Sequence, residues 1–110
     1  MTDWQVRAAQ FAQKHNLTRP PGVYALDLLS ELGEAAKEIL LATEYGERPF
    51  PPTPANAHQL GGELGDALYS LCLLAESAGV NLEEAFTATL QKYEQRWQTK
   101  KHLGSAEKPA

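Results

Sequence analysis

The chain has 110 residues, 43% of them hydrophobic, which is the size and composition of one globular domain. Ten lysines and arginines against fourteen acids leave a net charge of −4; a phosphate backbone is held by clustered cations, so neither DNA nor RNA is an expected partner. No stretch has the length and apolarity of a membrane span, the N-terminus lacks a basic region followed by an apolar core, and the single Cys72 sits in an apolar run, so the expected setting is the cytoplasm.

Trp4, Ala8, Phe11 and Ala12 recur at helical spacing and predict a short amphipathic helix over about 3–15, capped by Thr2 or Asp3. The sequence Arg19-Pro20-Pro21-Gly22 ends it and leaves a start for the next helix. A second helix is predicted over about 23–45, with Ala25, Leu28, Leu29, Leu32, Ala36, Ile39 and Leu40 on one broad apolar face. Four of the seven prolines fall at 49–54, so the stretch between Tyr45 and Gln59 is predicted as an exposed, semi-extended loop that no helix crosses. Loops of that length are often lids or binding segments.

A third helix over about 57–78 carries Leu60, Leu64, Ala67, Leu68, Leu71, Leu74 and Ala75 on its apolar side, and Gly79 is placed to end it in a left-handed conformation. Asn81 followed by Glu84 is a helix-start signature. The fourth helix then runs to about 101 with Leu82, Ala85, Phe86, Leu90, Tyr93 and Trp97 as its stripe. The expected fold is all-α: a four-helix, bundle-like domain over 1–103 and a disordered tail at 104–110 that has no large apolar side chain to dock. So short a chain buries a modest core alone, and association of identical subunits is expected.

Two acidic pairs stand out, Glu31-Leu-Gly-Glu34 and Glu63-Leu-Gly-Asp66. Residues three apart on a helix point to one side, so two such helices packed together pool four carboxylates. Asp27, Glu31, Glu34 and Glu38 fall within about 60° of one another, roughly opposite the apolar face of the second helix, and taken alone they read as a solvated stripe. Glu63 differs, because it lies at the margin of an apolar face and no lysine or arginine occurs from 49 to 81. A carboxylate beside a core needs a partner. A hard divalent cation shared by Glu31, Glu34, Glu63 and Asp66 supplies one, and an all-oxygen ligand set favours Mg²⁺, with Mn²⁺ as the alternative, over zinc. His15, His58 and His102 show no mutual ligand spacing. Gly33 and Gly65 each precede the second acid of a pair, which points to close helix approach or to room for a ligand.

The segments at 26–40 and 63–71, Gly79-Val-Asn-Leu-Glu-Glu-Ala-Phe86 and Lys92-Tyr-Glu-Gln-Arg96 resemble the MazG-like branch of the all-α nucleoside triphosphate pyrophosphohydrolases. The resemblance covers roughly 20–97. It implies that Glu31, Glu34, Glu63 and Asp66 ligate Mg²⁺, and that a nucleoside triphosphate is cleaved between its α and β phosphates to monophosphate and pyrophosphate. A homodimer or homotetramer and a house-cleaning role towards non-standard nucleotides are implied with it. Lys92 and Arg96 are the expected substrate-binding cations, whereas Lys37 reads as a surface residue. The family's first motif often begins with two adjacent glutamates, and here the leading position is Ser30, so the expected catalytic base passes to Glu38 on the same stripe, with Asp27 or activation by metal alone as alternatives. Tyr93 stands where many relatives carry asparagine. Two other readings share the helical plan: a phosphoribosyl-ATP pyrophosphatase-like enzyme, and a non-catalytic module that binds nucleotide or metal without hydrolysis.

Overall fold

A computed structural model describes residues 2–100; the expected tail at 104–110 lies outside the described residues, as does His102. The described chain forms four helices and no strand: α1 (Asp3–Lys14), α2 (Pro21–Ala42), α3 (Pro54–Ser77) and α4 (Leu82–Lys100). Each start has a local cause. The Thr2 hydroxyl caps α1 by accepting from the Gln5 amide, Thr53 does the same for α3 with Asn56, and Asn81 Oδ1 accepts from the amides of Glu83 and Glu84 at the head of α4. α2 starts without a side-chain cap, but proline at its first turn lacks the amide that would need one.

α3 begins earlier than the proline count predicts. Pro54 was expected in a loop; it occupies the first turn of the helix, where its fixed φ suits the helix and its missing N–H leaves nothing unpaired. The connection from α2 is correspondingly compact. The Tyr45 amide reaches back to the Leu40 carbonyl, and Glu44, Tyr45 and Gly46 all take positive φ before the chain extends towards Thr53. At the other end of α3 the expected left-handed glycine is found: Gly79 has φ 72°, and the Val80 amide closes onto the Ala75 carbonyl.

α3 is the central element, with α1 and α2 packed against it and each antiparallel to it. Its core is built from small residues: Ala8, Ala12, Cys72 and Leu73 close around Tyr24, with Tyr69, Leu74 and Leu82 against them. Two buried polar side chains hold the connections. The Tyr24 hydroxyl donates to the Leu17 carbonyl and accepts from the Arg19 amide, which fixes the turn between α1 and α2. Gln5, with no exposed surface, donates to the Val80 carbonyl at 2.7 Å and to Glu76 at 3.3 Å, and accepts from the Leu82 amide at 3.0 Å. One side chain therefore joins α1, the end of α3 and the start of α4.

The apolar stripes differ from expectation in a consistent way. The α2 face that meets α3 is Tyr24, Leu28, Glu31, Ala35, Glu38 and Ala42; apart from Leu28 the expected apolar face lies outward, with Leu29 at 68% and Leu32 at 48% exposure. Leu64, Leu68 and Leu71 of α3 are likewise open. Beyond its first turns α4 packs along none of the other helices to any extent, it has no buried residue, and Phe86, Leu90 and Trp97 stand exposed. The four helices thus do not close a bundle within one chain. The physical reason is the seam itself: alanines such as Ala35 and Ala67 bring α2 and α3 together, and the larger side chains are left on the flanks.

Candidate metal and substrate site

The reversed seam brings the acids together. Because Glu31 lies on the α2 face that meets α3, and not on a fully solvated one, it is half-buried opposite Glu63. Glu31, Glu63 and Asp66 each offer one carboxylate oxygen within 4.8 Å of the other two. Glu31 comes from α2 and the other pair from consecutive turns of α3. Glu34 is exposed and stands outside this triad, yet it is near enough to act on Glu63.

The electrostatics follow from that crowding. Partial burial pushes the Glu63 carboxyl above its ordinary range, and the charges of Glu31, Glu34, Asp66 and Glu38, in that order, push it further. The sequence places no lysine or arginine on α3 to relieve them. With one oxygen each within 4.8 Å of the other two, Glu31, Glu63 and Asp66 are the residues that would hold a divalent ion. Oxygen-only donors, clustered and short of cations, fit a hard divalent metal.

Glu38 belongs to the same neighbourhood. It is half-buried on α2, two turns beyond Glu31, and its Oε1 accepts a hydrogen bond of 3.0 Å from Gln59 Nε2 of α3. Gln59 was not singled out in the sequence, although it precedes Glu63 by four residues and so shares its helix face. Lys92 and Arg96 lie on α4, away from the α2–α3 seam; Lys92 Nζ sits 5.5 Å from the Tyr93 ring centre. Lys37 and Asp27 are exposed on α2. A side-chain carbon at Gly33 or Gly65 would meet nothing within 4 Å, so close helix approach inside one chain does not explain either glycine.

The grooves of the single chain lie elsewhere. One of about 610 Å³ runs between α1 and α3 past Trp4, Arg7, Phe11 and Tyr69, and one of about 480 Å³ lies between Trp4, Leu71 and Phe86; neither includes an acid of the triad.

Comparison with known proteins bears on this arrangement. A family model described as the MazG nucleotide pyrophosphohydrolase domain matches residues 20–100, which spans both acidic pairs and α4 but not α1. The chain is also similar to the "Uncharacterized protein YpjD" of Bacillus subtilis (strain 168), 38% identical over 69 residues that make up 63% of this chain and 60% of that protein. It thus aligns with about three-fifths of that relative's length. No solved structure matches.

Proposed function

We propose a reaction from one premise: this chain belongs to the MazG nucleotide pyrophosphohydrolase domain family. The proposed reaction is hydrolysis of a nucleoside triphosphate, in which water attacks the α-phosphorus, the bridge to the β-phosphate breaks, and monophosphate and pyrophosphate are released. The observation that carries this reading is the convergence of Glu31, Glu63 and Asp66 within 4.8 Å, without a cation on α3.

Glu31, Glu63 and Asp66, joined by Glu34, would hold Mg²⁺, or Mn²⁺ in its place. Bound there, the ion would offset charge on the phosphate oxygens and lower the pKa of the attacking water. Glu38 is the proposed base: it lies beside the triad without being part of it, and its carboxylate takes the proton that the water gives up. Lys92 and Arg96 are the proposed phosphate contacts. Their place on α4, away from the seam, supports a site whose second wall is a neighbouring copy of the chain in a homodimer or homotetramer. The outward apolar faces of α2, α3 and α4 support the same assembly. A cytoplasmic setting and a role in clearing non-standard nucleotides complete the proposal.

A panel of ordinary and modified nucleoside triphosphates, with and without Mg²⁺, tests it by reading pyrophosphate and monophosphate separately. Pyrophosphate release that needs Mg²⁺ and disappears in Glu63→Gln is the expected result. Binding of Mg²⁺ or nucleotide with no pyrophosphate from any triphosphate would refute hydrolysis and leave a non-catalytic binding module.

A further inference from the structure

Among the described residues, the contact between Glu38 and Gln59 is the one side-chain hydrogen bond that joins α2 to α3. It sits at the edge of the acid triad, on the seam that the triad occupies. Glu38 is also unlike the other acids there. Glu31, Glu63 and Asp66 face one another, whereas Glu38 has one oxygen tied to a neutral donor and no cation paired with it.

A glutamate on a helix surface samples many rotamers, and an unheld base spends most of its time out of reach of a bound water. The amide of Gln59 changes this in two ways. It fixes Oε1 at 3.0 Å across the seam, which restricts the side-chain torsions and leaves Oε2 as the unengaged oxygen. It also gives the carboxylate a hydrogen-bond partner beside the acid triad, and a neutral amide does so without adding a cation that would compete with the metal for those acids.

We infer that Gln59 is a positioning residue for the proposed reaction, holding the Glu38 carboxylate across the α2–α3 seam with one oxygen left to take the proton of the attacking water. The inference rests on the pyrophosphohydrolase reading and on Glu38 as its base.

The experiment uses Gln59→Met, which has nearly the same length and helix propensity but no donor, with Glu38→Gln measured beside it. In Gln59→Met, kcat for a triphosphate that the wild-type protein cleaves should fall about tenfold, a fraction of what a general base contributes. KM and the Mg²⁺ affinity from titration calorimetry should stay within about twofold, because the triad is untouched. In metal-free protein, the unfolding free energies of Glu38→Gln, Gln59→Met and the double variant should be non-additive, as expected of two groups in direct contact.

Wild-type kcat in Gln59→Met, with the parent active, would overturn the positioning role and leave the proposed reaction standing. Additive stabilities in the metal-free cycle would overturn it as well. Undiminished turnover in Glu38→Gln would remove the base and with it the role of Gln59, while absence of pyrophosphate from the parent protein would remove the reaction itself.

Discussion

Replacing Gln5 with leucine tests the packing logic of the whole chain, because the side chain has no exposed surface and makes three hydrogen bonds that span α1, the end of α3 and the start of α4. Leucine fills similar space, so the cost comes from the abandoned partners and not from a cavity. The Leu82 amide belongs to a half-buried residue and loses its acceptor, at about 1–3 kcal/mol for an unsatisfied buried group. Val80 and Glu76 are exposed enough to return to water, so each of those bonds counts at only its net worth of about 0.5–1.5 kcal/mol. The sum is about 4 kcal/mol, equivalent to a fall in Tm of roughly 16–20 °C for a chain of this size. Urea denaturation at fixed protein concentration measures it, with Arg7→Ala as control: that side chain makes only an exposed 3.4 Å ion pair with Asp3 and should change stability by less than about 0.5 kcal/mol. A loss below about 1 kcal/mol in Gln5→Leu, close to the control, would refute the claim that this one amide clips the helices together.

The raised Glu63 carboxyl carries a pH dependence with a definite sign. Between its ordinary value of 4.5 and its raised folded value the native chain binds more protons than the unfolded one, so metal-free stability should fall as pH rises through that window. Glu63→Gln should flatten this part of the curve and leave the melting temperature at neutral pH unchanged or higher; a steeper loss in the variant would contradict the crowding of acids. Cys72 should be inert, since it is buried and burial pushes its thiol up, away from the reactive thiolate. A chromogenic disulfide reagent should label native protein on the order of a hundredfold more slowly than denatured protein, and equal rates would show that the α1–α3 contact opens freely.

The helices were legible because their signals are local. Thr2, Asn81 and Gly79 act within a few residues of where they stand, and all three behave as their types predict. Pro54 shows the limit of that reading: the same residue that ends a helix can open one, and Thr53 before it was the distinguishing sign. The pairing of Glu31 with Glu63 and Asp66 was foreseen from spacing, but the reason for it was not. A helical wheel identifies a polar stripe and an apolar stripe without saying which one faces the neighbour. Here close approach through Ala35 and Ala67 selected the stripe that carries the acids. Gln59, Gln5 and Tyr24 escaped notice because an uncharged polar side chain shows its role only once its partner, distant in sequence, is placed beside it.

The place of α1 bears on how the folding unit should be delimited. Similarity to the family begins at residue 20, yet Ala8, Ala12 and Gln5 complete the core around Tyr24, Cys72 and Leu73. Cutting the chain at the edge of the recognisable motif would strip one side of α3, bare Tyr69 and Cys72, and orphan the Leu82 amide. The ancestral boundary and the thermodynamic boundary therefore fall at different residues, and any transplantation of this site into another protein has to carry the preceding helix with it.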